Sequence, residues 1–80
     1  MTCVYQADHE GVTFKAYHDR KIERDYGDKE WSLRLQIQDG TVCGYRVSAY
    51  KGKRLIDTFP SSLYYHPRDA VNEAIEGTDF

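Results

Sequence analysis

Two stretches in the middle of the chain alternate apolar and polar residues with the period of two that is typical of a β-strand. The first, Trp31 to Gln38, places an apolar side chain at every odd-numbered position. The second, Thr41 to Tyr50, does the same at Cys43, Tyr45, Val47 and Ala49. The pattern predicts two strands, each with one buried face.

The turn between these two stretches contains Asp39 and Gly40, and its length decides the register. A two-residue loop pairs Leu33 with Arg46 and so places an arginine on the apolar face. A loop of Gln38, Asp39 and Gly40, with Gly40 in the left-handed conformation, brings all apolar residues onto one face. The sequence therefore predicts a hairpin whose opposite, polar face carries Arg34 and Arg46.

Three further strands are predicted outside this hairpin. Arg54 to Phe59 forms one, and Pro60 ends it because proline cannot donate to the strand ladder. Cys3 to Ala7 and Val12 to Tyr17 form another hairpin. Between Tyr17 and Trp31, nine charged residues among the twelve from Asp19 to Glu30 predict a solvated loop, with a short helix as the alternative.

A helix is predicted near the C-terminus. Pro67 suits its first turn, Gly77 ends it, and apolar residues recur between them at helical spacing, at Ala70, Val71, Ala74 and Ile75. Such a short helix must pack on the sheet to persist. We expect one α+β domain over residues 1–80: an antiparallel sheet of four or five strands with one C-terminal helix on one face.

Composition narrows the function classes. The 80 residues are 40% hydrophobic and carry a formal net charge of −2, which excludes a disordered chain and a generally basic nucleic-acid binder. No uncharged run is long enough for a membrane span or a signal peptide. These features predict a cytoplasmic protein without a membrane partner.

Catalytic and cofactor motifs are missing from the sequence. Cys43 lies in mid-strand, the three histidines have no metal-ligand spacing, and the glycines are scattered over turns and strand ends. Cys3 and Cys43, 40 residues apart, are expected to stay reduced. We therefore expect a non-enzymatic protein with no cofactor and no metal.

Two surface clusters are the candidate binding residues. The first lies around the predicted turn at Lys51 and combines cations with an aromatic residue. This composition suits phosphate contacts and the stacking of bases. Its members are Arg34, Arg46, Tyr50, Lys51, Lys53 and Arg54. The second is typical of a protein interface, since adjacent tyrosines cannot both face the core. Its members are Tyr64, Tyr65, His66 and Arg68.

The run from Trp31 through Gly52-Lys53-Arg54-Leu55 and Thr58-Phe59 to the helix around Ala70 resembles, in layout, the three-strand-plus-helix DNA-binding domains of plant ethylene-response factors and phage integrase arms. Those domains read DNA with residues on the open sheet face. The resemblance implies that Arg34 and Arg46 contact DNA.

In size and in its sheet-plus-helix style, the whole chain also resembles the small inhibitors of phages and mobile elements, anti-CRISPR proteins among them. This resemblance implies a non-catalytic protein that blocks a surface of a larger protein or nucleoprotein complex, as a monomer or a homodimer. We take that inhibitor function as the main expectation, and a nucleic-acid-binding module as the alternative.

Overall fold

The computed structural model describes residues 2–78. Four strands and three helices follow one another as β1 (Cys3–His9), β2 (Val12–His18), α1 (Arg20–Lys29), α2 (Trp31–Gln38), β3 (Cys43–Lys51), β4 (Arg54–Tyr64) and α3 (Pro67–Glu76). The strands form one antiparallel sheet in the order β1-β2-β3-β4. The fold is α+β, as the sequence predicts.

One hydrophobic core lies between the sheet and α3. On β2, every second residue from Val12 to Ala16 is buried. On β3, every second residue from Tyr45 to Ala49 belongs to the same core. They meet one side of α3, and the buried core consists of Val12, Phe14, Ala16, Tyr45, Val47, Ala49, Ala70, Val71 and Ala74. The prediction that the C-terminal helix packs on one face of the sheet is therefore confirmed. Pro67 stands in its first turn and Gly77 follows its end.

The predicted hairpin between Trp31 and Tyr50 is wrong. Trp31–Gln38 is the helix α2, and β3 pairs instead with β2 and β4, so that Val47 lies opposite Ala16 and Phe59. Both edges of β3 are thus paired with strands, and the apolar residues of these strands lie on the same face as those of β3. Because Leu, Arg and Gln are good helix formers, the displaced segment is helical. Gly40 does adopt a left-handed φ of 82°, but it follows the end of a helix.

The charged segment after β2 forms α1, the alternative that its sequence left open. Asp19 caps the helix, since its carboxylate accepts the backbone N–H groups of Lys21 and Ile22. α1 packs on the sheet near β3 and β4, whereas α2 packs on α1. The two helices meet at Gly27, where a Cβ would lie 3.8 Å from Arg34 Cα, an ordinary van der Waals contact. The sequence prediction missed both helices as packed elements.

β4 continues past Pro60, where the prediction ended it. Pro60 is accommodated because β4 pairs with β3 on one side only, and its other edge is the edge of the sheet. The ladder also shifts register twice along this pair.

Within residues 2–78, no helix is long and apolar enough to cross a membrane.

Candidate binding surface on the open sheet face

The face of the sheet opposite α3 carries aligned tyrosines and cations from β2 and β3. Because side chains alternate along a strand, burying Phe14, Ala16 and their partners on β3 sends Lys15, Tyr17, Arg46 and Tyr50 to the other side. In the ladder Tyr17 lies opposite Arg46, and Lys15 lies opposite Ser48. We call Lys15, Tyr17, Arg46, Ser48 and Tyr50 the open face.

Each tyrosine of the open face is paired with a cation. Lys15 Nζ lies 5.2 Å from the centre of the Tyr50 ring, and Arg46 Cζ lies 5.9 Å from the centre of the Tyr17 ring. Both distances fall within the range of cation–π attraction. The two rings are also linked, since the Tyr17 and Tyr50 hydroxyls form a hydrogen bond that is the largest cause of a raised pKa at Tyr17. Ser48 lies between Arg46 and Tyr50 on β3, and it is only 5% exposed.

This packing holds the two charged groups in place. A lysine or an arginine on a flat surface ordinarily samples many rotamers, and it loses that freedom when it binds a partner. Here each side chain already lies against a ring. The open face therefore presents two cations in defined positions, with aromatic surface beneath them.

Asp19 and α1 border the open face at one end. Asp19 accepts the Ser61 hydroxyl, and this bond, followed by the backbone bonds from Ile22 and Lys21, holds the pKa of Asp19 below its usual value; the charge of Arg46 lowers it further. One turn later, Glu23 accepts the backbone N–H of Gly44 at 3.0 Å. The cationic surface is thus bounded by two carboxylates that already have partners.

The β3–β4 hairpin lies at the opposite end. Lys51, Lys53 and Arg54 are exposed, and Gly52 takes a positive φ of 64° in the turn. Lys51 pairs with Arg54 in the ladder, directly after Tyr50. We call Lys51, Lys53 and Arg54 the hairpin tip. The structure brings this part of the predicted first cluster together with Arg46 and Tyr50.

Arg34 does not belong to this surface, contrary to the sequence prediction. It lies on α2, because the segment predicted to pair with β3 is helical. Lys15 and Tyr17 take its place, and the prediction missed them. The alternation from Val12 to Tyr17 shows that both point away from the buried face, but nothing local in the sequence indicates that β2 is the neighbour of β3.

The second predicted cluster divides into interior and surface. Tyr64 packs against the core, and its hydroxyl donates to Glu73; burial, followed by this bond, raises its pKa to about 12. Tyr65 is 64% exposed, and His66 and Arg68 are exposed as well. As the adjacent tyrosines predict, one of them faces solvent.

The described part of the chain was also searched for metal-ligating groups. Within residues 2–78, no three side chains of the His, Cys, Asp or Glu type are grouped so that they could hold a metal ion. A comparison with protein-family models, curated proteins and solved structures finds no match to this chain. The open face and the hairpin tip therefore have to be interpreted from their own geometry.

Proposed function

We propose that this protein is a non-enzymatic binding protein that inhibits a larger protein or nucleoprotein complex by covering one of its surfaces, in the manner of the small anti-CRISPR-like inhibitors that it resembles in size and layout. The observation that supports this proposal is the open face, on which Lys15 and Arg46 are held over Tyr50 and Tyr17. The expected partner presents an acidic surface.

The pre-ordered cations favour a rigid interface. A partner's carboxylates meet charges that have already lost much of their rotamer freedom, so that less entropy is lost on binding. The tyrosines beneath them add apolar area of the kind that is enriched at protein interfaces. The exposed hairpin tip adds charge that steers the encounter more than it strengthens the final complex.

A protein partner fits this face better than stacked bases do. Base stacking requires a free ring face. Here a cation lies over each ring and the two hydroxyls bond each other. The net charge of −2 and the carboxylates of Asp19 and Glu23 at the border also disfavour a long phosphate backbone.

A nucleic-acid-binding module is the second candidate, and one observation favours it. Five cations, two on the open face and three on the hairpin tip, lie on the neighbouring strands β2, β3 and β4 and in the β3–β4 turn. Phosphates could contact these side chains without any base stacking. Such binding would weaken about tenfold or more between roughly 50 and 200 mM salt.

The test compares charge reversals on and off the surface. The variants are Lys15→Glu for the open face and a triple reversal of Lys51, Lys53 and Arg54 for the hairpin tip. The matched control is Lys21→Glu, which makes the same charge change on the exposed side of α1. Circular dichroism checks that each variant is folded.

A partner captured by the wild-type protein from a lysate of the encoding organism is then measured by surface plasmon resonance. We expect Lys15→Glu and the triple variant to slow association and to change its salt dependence, and Lys21→Glu to behave like the wild type. We also expect the wild type, but not Lys15→Glu, to suppress the activity of the captured complex. If both variants bind as the wild type does, the proposal fails.

Labelled single- and double-stranded oligonucleotides, mixed with the pure protein, distinguish the two candidates. Absence of binding at roughly 50 mM salt supports the protein partner, whereas tight, strongly salt-dependent binding supports the nucleic-acid module.

A further inference from the structure

Helix α2 carries two apolar pairs on opposite sides, because its apolar residues alternate while the helix turns every 3.6 residues. Leu33 and Ile37 are half-buried, and Ile37 lines the groove between α1 and α2. Trp31 and Leu35 point the other way and are 73% and 44% exposed. One side of α2 is thus packed, and the other presents a large aromatic and an aliphatic side chain to solvent.

The groove beside this apolar pair is lined by arginines. It measures about 300 Å³, and its cationic lining comes from Arg20 and Arg24 on α1 and Arg34 on α2. Among residues 2–78, none of these three forms an ion pair with a carboxylate. Two carboxylates, Glu23 and Asp28, also line the groove, and the Glu23 carboxylate accepts the Gly44 N–H. Three arginines against two carboxylates leave the lining of the groove with a net positive charge.

The apolar pair and the groove form one continuous surface. Residues three apart on a helix are neighbours, so Arg34 stands beside Trp31 while it also lines the groove. Arg34 also lies next to Gly27 of α1, where the two helices meet. We call Arg20, Arg24, Trp31, Arg34 and Leu35 the α1–α2 surface.

We propose that the α1–α2 surface is a docking site for an acidic amphipathic helix of a partner protein. Such a helix offers apolar side chains to Trp31 and Leu35, and carboxylates to the arginines, which bind them in bidentate geometry. Tryptophan and arginine are the residue types most enriched among binding hot spots.

Two other occupants fit the surface less well. A nucleic acid supplies phosphates for the arginines but no aliphatic surface for Leu35. A second copy in a symmetric dimer would bring the same arginines against each other, because a two-fold contact pairs a surface with itself. The site is separate from the open face, so this proposal does not depend on Lys15 or the hairpin tip.

Trp31 makes the test direct, since it is the only tryptophan of the chain and lies within the proposed site. The probe is a synthetic peptide with glutamates on one side of a helix and Leu and Phe on the other. A peptide of the same composition in scrambled order, which has no apolar side, is the control. We expect the amphipathic peptide alone to shift the Trp31 emission to shorter wavelength and to reduce its quenching by acrylamide.

Variants that keep Trp31 locate the contact. Arg24→Glu and Leu35→Ser, which change exposed side chains, should each weaken peptide binding about tenfold or more. Arg24→Gln removes the charge without reversing it and is used if Arg24→Glu fails to fold. Lys21→Glu and the open-face variant Lys15→Glu should bind the peptide as the wild type does, so this proposal can fail or succeed independently of the open face.

Three results would overturn the proposal. The first is equal binding of the amphipathic and scrambled peptides. The second is the same emission shift with a thymidine oligonucleotide, which would identify a nucleic-acid site. The third is an emission that depends on protein concentration without peptide, together with a dimer in sedimentation, which would identify a second copy as the occupant.

Discussion

The Glu23 carboxylate on α1 accepts the backbone N–H of Gly44 at 3.0 Å, and the Gly44 carbonyl accepts the backbone N–H of Asp19 at 2.8 Å. Both polar groups of Gly44 therefore bond the start of α1. This arrangement leaves no room for a side chain. A Cβ at Gly44 would lie 2.3 Å from the Asp19 carbonyl oxygen and from Ile22 Cγ2.

The variant Gly44→Ala is therefore expected to destabilise the fold by about 1–3 kcal/mol, since one of the contacting atoms belongs to the backbone and α1 must shift away. Urea denaturation measures the change. Gly77→Ala is the matched control, because a Cβ there would lie 3.5 Å from the Glu73 carbonyl oxygen, an ordinary contact. If the two variants are equally stable, α1 does not pack on β3 at Gly44.

Removal of the Asp19 carboxylate should give a pH-dependent loss of stability. The pKa of Asp19 is lowered from 3.8 in the folded chain, chiefly by the Ser61 hydroxyl, so its contribution is fully present above pH 3.8 and is lost as the pH falls through the folded value. Asp19→Ala should cost about 1 kcal/mol at pH 7 as a lost helix cap, and less at pH 3.

Urea denaturation at the two pH values measures this difference. Asp25→Ala removes an exposed carboxylate elsewhere on α1 and should stay within about 0.5 kcal/mol of the wild type at pH 7. An Asp19→Ala deficit that is as large at pH 3 as at pH 7 would contradict the ionised cap.

An alanine scan of α2 tests the helix against the strand that its sequence pattern suggests. Leu33→Ala and Ile37→Ala should each cost about 1–2 kcal/mol, since both side chains are half-buried. Leu35→Ala, at an exposed position, should stay within about 0.5 kcal/mol. In a strand all of these residues share one face, and similar losses throughout would rule out the helix.

The contribution of Tyr64 to the free energy of unfolding should be lost at high pH. Its pKa is raised from 10.0 to about 12, mainly by burial, so the stabilisation is complete below pH 10 and is lost as the pH rises towards 12. Tyr64→Phe cannot ionise at this position. Between pH 9 and pH 11 it should therefore lose less stability in urea melts than the wild type loses.

Tyr65→Phe is the control for this comparison, because it removes a hydroxyl from the 64% exposed neighbour. It should follow the wild type over the same pH interval. A Tyr64→Phe variant whose stability falls as steeply as that of the wild type would show that the Tyr64 hydroxyl is not enclosed.

Local patterns were enough to predict the parts of the fold that local interactions determine. The hairpin of β1 and β2, the strand β3 and the helix α3 each combine a clear period with turn or cap residues at their ends. The alternation of Trp31–Gln38 is equally clear, yet the segment is helical. What decides it is a long-range fact, that β2 and β4 occupy both edges of β3.

The arrangement of the proposed binding surface could be predicted to the same extent. Arg46, Tyr50 and the hairpin tip lie on one continuous stretch of chain, and their proximity follows from sequence alone. Lys15 and Tyr17 join them only through the pairing of β2 with β3, which spans about thirty residues of chain. The exposure of the Trp31 side chain could not be predicted either, because the strand pattern placed Trp31 in the core.

The sheet joins neighbouring strands by connections of very different length, and this difference has a kinetic consequence. The β1–β2 and β3–β4 turns contain two residues each, whereas residues 19–42, with both α1 and α2, separate β2 from β3. Closing the longer loop costs roughly 2 kcal/mol more in chain entropy. We expect the two hairpins to form early in folding and to dock afterwards, and α1 to join last, so that Gly44→Ala should speed unfolding while leaving the folding rate nearly unchanged in stopped-flow measurements.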